Sequence, residues 1–301
     1  MTFKRGARLD PGQVRDVRGR SGGIGGRGMA IGGGGGLIGI IALVLITVLG
    51  GGNGGGGGGA GGLDSILNQP IGGGAGTGGE NDLSEECRTG ADANEREDCR
   101  IVGYVNSIND YWTDAFGQEG LRYREATTTL FDGPIETGCG QGSPATGPFY
   151  CPADETIYID LGFFQTLEER LGGSDGPFAQ AYVVSHEYGH HVQNLLGDLG
   201  ARDPGAEGGS VRTELQADCY AGAWAANAAE GDYLVAPTQA QITDALETAA
   251  AVGDDRIQEA SGGSVDPHTF SHGTSEQRQE WFTRGYESGR QGDCDTFRVD
   301  I

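Results

Sequence analysis

Apolar residues recur at helical spacing over Glu95–Phe116, where Ile101, Val102, Tyr104, Val105, Ile108 and Trp112 mark a buried face. The same periodicity predicts helices at Phe163–Leu171, Phe178–Leu196, Val211–Ala228 and Gln239–Ala251. Gly197 should stop the second of these, and Ser210 is placed to cap the third. A last helix is expected over Thr274–Ser288, with Thr274 and Gln277 spaced as a capping box. Two short runs, Thr127–Phe131 and TIYID at Thr156–Asp160, are β-branched and aromatic and read as strands. Between them lies a turn-rich stretch with Gly138, Gly140, Gly142 and Pro144. Helices and strands are interspersed rather than repeating, so the expected class is α+β.

This pattern begins only near Asn81. Ahead of it the chain is dominated by glycine, of which there are 59 in 301 residues. Such a composition buries too little apolar surface to offset chain entropy. The exception is LIGIIALVLITVL at Leu37–Leu49, which carries no charge. These residues alone give about 20 Å of helix, short of a hydrocarbon core of ~30 Å. Residues 32–52, with flanking glycines, reach the length of a membrane span. The expected organisation is a basic disordered segment over 1–31, a transmembrane anchor over 32–52, a Gly-rich linker over 53–80 and a folded domain over 81–301. A cleaved signal peptide fits less well, because the basic segment is long and no Ala-x-Ala-like site follows.

Charge and cysteine content sharpen the picture. The net charge is −23, yet Lys4, Arg5, Arg8, Arg15, Arg18, Arg20 and Arg27 all precede the apolar stretch. A strongly acidic domain repels phosphate, which excludes nucleic acid as a partner. Basic residues ahead of a span hold the N-terminus in the cytoplasm and place the domain outside. The six cysteines include no C-x-x-C knuckle, so disulfides are expected on the oxidising side. Pairing Cys87 with Cys99 and Cys139 with Cys151 closes two short local loops and leaves Cys219 with Cys294.

The chemistry is concentrated in two segments. Residues 185–191 read SHEYGHH. His186 and His190 are four apart, hence on one helix face, where both can bind one metal ion, Zn2+ by residue type. Glu187 borders the same pocket and can take a proton from water activated there. A hydrolytic zinc needs a third protein ligand and an open position. Residues 214–218 read ELQAD, and Glu214 is the expected third ligand. A histidine six residues after His190 would be the alternative, but Leu196 stands there. Asp218, four residues after Glu214, can accept a hydrogen bond from the far nitrogen of a ligand histidine. A surface helix with two solvated histidines fits poorly, because Tyr182, Val183, Val184, Val192, Leu195 and Leu196 make that helix largely apolar.

These segments, with GPFYCP at Gly147–Pro152, ELQADCYAGAW at Glu214–Trp224, HGTSEQR at His272–Arg278 and RGRSGG at Arg18–Gly23, resemble the bacterial neutral zinc metallopeptidases with an N-terminal membrane anchor. The resemblance runs from the basic N-terminus to the end of the chain. It implies a zinc ion, a zincin-like fold and peptidase activity, and says little about substrate. The departure is the glycine expansion around the apolar stretch.

Other residues complete the expectations. His272, in a loop before the capped helix, could aim a donor at the oxyanion of a tetrahedral intermediate. His191 points about 100° from His190 and is expected to pack or hydrogen-bond, and His268 to play no part in the site. By analogy with zincin folds, TIYID with Tyr158 and Asp160 could be an edge strand that pairs with an extended peptide. The reaction expected is hydrolysis of peptide bonds in a peptide or protein substrate. Two competing readings are a non-catalytic, membrane-tethered zinc-binding protein that recruits a partner, and a zinc amidase acting on cell-envelope material.

Overall fold

The computed structural model describes residues 1–19, 81–200 and 203–301. The expected anchor and linker, 32–80, lie outside the described residues, and among those described no helix is long and apolar enough to cross a membrane. The described residues form an α+β structure. Its helices are α1 (Gly90–Glu95), α2 (Glu97–Gln118), α3 (Gly162–Leu171), α4 (Pro177–Leu196), α5 (Gly209–Asn227), α6 (Gln239–Ala251), α7 (Asp254–Ala260) and α8 (Ser275–Ser288). Its strands are β1 (Val14–Asp16), β2 (Thr127–Phe131), β3 (Ile135–Thr137), β4 (Gly140–Gly142), β5 (Phe149–Cys151) and β6 (Thr156–Asp160).

One sheet has the order β1-β2-β6-β5, and β3 and β4 form a separate antiparallel hairpin. Strands β1, β2 and β6 run parallel, and β5 pairs antiparallel with β6. Alternation along the strands divides their side chains between two faces. Leu130, Tyr150, Ile157 and Ile159 enter the main core, whereas Phe131, Phe149, Cys151 and Tyr158 form a small cluster on the other face. The TIYID strand is β6, and it is an interior strand, with β2 on one side and β5 on the other. Tyr158 is paired on both sides, with Thr129 of β2 and Phe149 of β5, and Asp160 with Phe131 of β2, so the edge position expected of TIYID is not found.

The helices pack around a largely buried α4–α5 pair. Gly189 of α4 meets Ala217 of α5 so closely that a Cβ on Gly189 would lie 2.9 Å from Ala217 Cα. Gly285 of α8 approaches α5 closer still, with no room for a side chain against the Cys219 carbonyl. Both helix ends expected from sequence are present: Gly197 closes α4 in a left-handed conformation, and Thr274 with Gln277 makes the capping box of α8. Helix α5 instead starts at Gly209 without a side-chain cap, so Ser210 lies inside it. Disulfides join Cys87 to Cys99, Cys139 to Cys151 and Cys219 to Cys294, the pairing expected from loop lengths.

The first nineteen residues depart from the disordered segment expected over 1–31. Phe3 is buried against Tyr104 of α2, with ring centroids 5.1 Å apart. β1 adds a parallel strand to β2, with Val14 opposite Thr128 and Asp16 opposite Leu130. The physical reason is alternation on a short scale: Val14 and Asp16 turn inward and Arg15 outward. Inside, Asp16 is neutralised by Arg18, whose guanidinium also reaches Asp98 at the start of α2. The folded unit thus comprises residues 1–19 together with the chain from Asn81 onward.

Candidate metal centre

Helix α4 carries His186, Glu187 and His190 and α5 carries Glu214 and Asp218, and the Gly189–Ala217 contact brings the two helices together. His186, Glu187 and His190 are fully buried, while Glu214 keeps 6 % of its surface exposed. His186, His190 and Glu214 form a cluster able to hold a metal ion. His186 Nε2 lies 3.1 Å from His190 Nε2. Glu214 completes the triangle, with Oε2 3.3 Å from His186 Nε2 and Oε1 3.4 Å from His190 Nε2. Ligands at about 2.0–2.1 Å from a tetrahedral zinc stand roughly 3.3–3.4 Å apart. The two Nε2 atoms and the Glu214 carboxylate are therefore spaced as three ligands of one such ion would be.

The outward nitrogens explain why this face needs a cation. His186 Nδ1 lies 2.7 Å from Asp218 Oδ1, and His190 Nδ1 lies 2.8 Å from Gln193 Oε1. Both partners are acceptors; the Gln193 amide nitrogen donates instead to the Thr213 carbonyl and to Gln216. Each ring thus carries a proton on Nδ1 and turns Nε2 toward the other ring and toward a carboxylate. These groups converge in a buried space and need a positive charge between them; burial opposes it, but Asp218 and Glu214 raise the His186 pKa to about 9, so a proton supplies that charge in the metal-free protein.

Asp218 is the most heavily engaged carboxylate of the site. Besides His186 it accepts from the Tyr182 hydroxyl at 2.6 Å and from Arg278 at 2.8 Å and 3.0 Å. Burial alone would raise its pKa, but the Arg278 guanidinium and His186 outweigh this and hold Asp218 well below the usual carboxylate range. The Glu214 carboxyl is likewise held down to about 2, where His190, His186 and His272 overcome burial.

Glu187 differs from both. Neither of its carboxylate oxygens has a hydrogen-bond partner. In the metal-free protein, burial pushes its pKa up to about 8, with His186 opposing. An unpartnered buried carboxyl of this kind is costly to folding and is found where it exchanges protons.

His272, just before α8, is positioned by a residue that sequence spacing did not single out. Its Nδ1 lies 2.9 Å from Asp254 Oδ1. The other Asp254 oxygen accepts the consecutive backbone N–H groups of Ser271, His272 and Gly273 at 2.7, 2.6 and 3.0 Å. This fixes the His272 ring close enough to help hold Glu214 anionic. His272 and Glu214 each retain 6 % exposure, so the cluster opens to solvent on their side.

The remaining candidates lie elsewhere. His191 is held between the Tyr150 hydroxyl and the Arg124 carbonyl, at 3.0 and 2.6 Å, and ties α4 to β5. His268 is exposed on a single 3-10 turn, Pro267–Thr269. Gln193, Arg278, Tyr182 and Asp254 escaped the sequence reading as site residues. Arg278 stands inside the HGTSEQR motif and Gln193 one turn after His190, so those two carried a signal; Asp254 carried none.

A family model described as "Putative neutral zinc metallopeptidase" matches residues 1–297. The protein Rv2575 of Mycobacterium tuberculosis is 51% identical over 226 residues, covering 72% of this chain and 75% of that one. The protein YpfJ of Escherichia coli (strain K12) is 42% identical over 217 residues, covering 69% of this chain and 74% of that one. Both carry the description "uncharacterized". No solved structure gives a significant match.

Proposed function

Since the chain belongs to the neutral zinc metallopeptidase family, we propose that it is a zinc-dependent hydrolase that cleaves peptide bonds. The observation that carries the proposal is the triangle of His186, His190 and Glu214, whose edges of 3.1, 3.3 and 3.4 Å suit three ligands of one tetrahedral ion. The two converging Nε2 atoms and Glu214 Oε2, which has no hydrogen-bond partner, fit a zinc ion in both charge and donor type. Zinc at this position supplies Lewis acidity, polarising a scissile carbonyl and making water nucleophilic near neutral pH.

The rest of the chemistry falls to side chains. Glu187, with both oxygens free of protein donors, takes a proton from the attacking water and returns it to the leaving amine. Asp218 and Gln193 hold the two imidazoles in the tautomer that presents Nε2. His272, fixed by Asp254, contacts the carbonyl oxygen as negative charge grows there. Strand β5, at the end of the sheet and joined to α4 through Tyr150 and His191, braces the histidine-bearing helix against the sheet. This arrangement, a histidine-bearing helix beside a sheet with a short antiparallel edge strand, supports a zincin-like fold. Three disulfides support placing the catalytic unit outside the cytoplasm. The apolar Leu37–Leu49 stretch supports attachment to the membrane.

The test is zinc content and casein-type peptidase activity of the full chain and of Glu187→Gln. One equivalent of zinc in both, with activity only in the unsubstituted protein, is the expected result. Zinc in both with activity in neither would favour the tethered binding protein. A folded chain without zinc would defeat the proposal.

A further inference from the structure

The first nineteen residues are built into the catalytic unit. Asn94 clasps Phe3 from both sides: its side chain accepts the Phe3 N–H at 2.9 Å and donates to the Phe3 carbonyl at 3.0 Å. Asn106 does the same for Asp10, at 2.8 and 3.0 Å. The Phe3 ring occupies the space that only a glycine at position 103 leaves open; a Cβ there would meet the ring at 2.3 Å. Backbone bonds run from Lys4 to Tyr233, from Val235 to Thr2, from Leu9 to Arg88 and from Gly90 to Ala7. β1 then extends the sheet along β2. These partners come from α1, α2, the sheet and the loop after α5, so the segment is held by much of the fold.

The chain also leaves and re-enters at one place. The Asn81 N–H donates to the Asp16 carbonyl at 2.9 Å, and the Asn81 side chain reaches the Arg18 carbonyl at 3.1 Å. Residues 20–80, with the apolar Leu37–Leu49 stretch inside them, therefore start and finish at adjacent points.

We infer that residues 1–19 and the catalytic unit lie on the same side of the membrane. A single crossing by Leu37–Leu49 would put Phe3 and Tyr104 in different compartments, which their contact forbids in the folded protein. The N-terminus-inside, domain-outside arrangement expected from the basic residues ahead of the apolar stretch cannot hold for a molecule folded in this way. The charge asymmetry has a second use that removes the conflict. Arg18 is spent on Asp16 and Asp98, and Lys4 on the Ala229 and Gly231 carbonyls, so two of the basic residues that would set orientation serve the fold. The inference is independent of the reaction proposed above.

Lys4 makes the test direct, because it is the only lysine in the sequence and is exposed. The full chain, with a C-terminal epitope tag, is expressed in cells that are converted to spheroplasts. A membrane-impermeant amine-reactive biotin ester is applied to one portion and protease to another, with detergent-lysed samples setting complete reaction. Lys4→Arg identifies the labelled position, and Thr2→Lys supplies a second amine at an exposed neighbour. Label on residue 4 together with loss of the tag in intact spheroplasts is the expected result. Protection of both ends would keep the same-side inference while refuting an extracytoplasmic catalytic unit. Protection of residue 4 with digestion of the tag, or the reverse, would overturn the inference.

Discussion

Asp218 receives the Nδ1 proton of His186 across 2.7 Å, and Arg278 grips the same carboxylate from a fully buried position. The pair joins α4, α5 and α8 at one point, so the orientation of the His186 ring depends on a helix that contributes nothing to the His186, His190 and Glu214 cluster. Replacing Asp218 with Asn keeps the size but weakens the acceptor and removes the charge opposite Arg278. Zinc affinity is expected to fall by about 10–100-fold. Competition against a chromophoric chelator measures this, with circular dichroism as the control for folding. Unchanged affinity would show that the His186 tautomer is set by something else.

Glu187 gives the metal-free protein a pH dependence whose sign can be worked out. Its carboxyl is raised in the folded state from 4.5 to about 8. Between those values the folded state binds more protons than the unfolded one, so this residue's share of stability is lost as pH rises. In Glu187→Gln that loss is absent. Denaturant titrations of chelator-treated protein should show the variant gaining on the unsubstituted chain from pH 5 to pH 8. Parallel profiles would mean that the carboxyl is better solvated than its burial suggests.

Gly189 lies between the histidines in sequence and against Ala217 in space. A valine there must push α4 away from α5 and lengthen both histidine–Glu214 distances. Gly189→Val is expected to lose zinc by at least tenfold in affinity and to unfold at lower temperature, since overpacking typically costs about 1–3 kcal/mol. Isothermal titration with zinc on the soluble fraction is the check; full affinity in a folded variant would contradict the helix-spacing argument.

Phe3 is 1 % exposed and fills the notch above Gly103. Phe3→Ala should destabilise the protein by about 3–5 kcal/mol, as large-to-small changes in a core do. A melting temperature within a degree of the unsubstituted chain would show that the N-terminal segment is dispensable for folding.

The comparison of sequence with structure is instructive at particular places. The helices of the site were legible because each is a long run rich in apolar residues with turn residues at its ends, and their observed ends lie within about two residues of the expected ones. The cluster of His186, His190 and Glu214, which could hold a metal ion, was foreshadowed by two i, i+4 spacings, in SHEYGHH and ELQAD, because that spacing fixes a face without reference to the rest of the fold. Asp254 had no such periodicity: it meets His272 only because α7 and the loop before α8 converge. β1 was invisible for another reason. Three residues among arginines show no pattern long enough to read, and the partner, Thr128–Leu130, is more than a hundred positions away. The assignment of TIYID to an edge failed because strand order, unlike strand identity, is set by tertiary pairing.

The meeting of Asn81 with Asp16 and Arg18 has a practical corollary. A shortened protein made by starting at Asn81 would lose β1 and Phe3 and leave a gap beside Gly103. The better excision removes the middle and keeps both ends, joining Gly19 to Asn81 through a turn of a few residues. Closing so short a loop costs little entropy, and the product would retain every described element while shedding the apolar stretch. The same adjacency lets insertions and deletions between those two residues accumulate without disturbing the fold, which is where the glycine expansion of this chain is found.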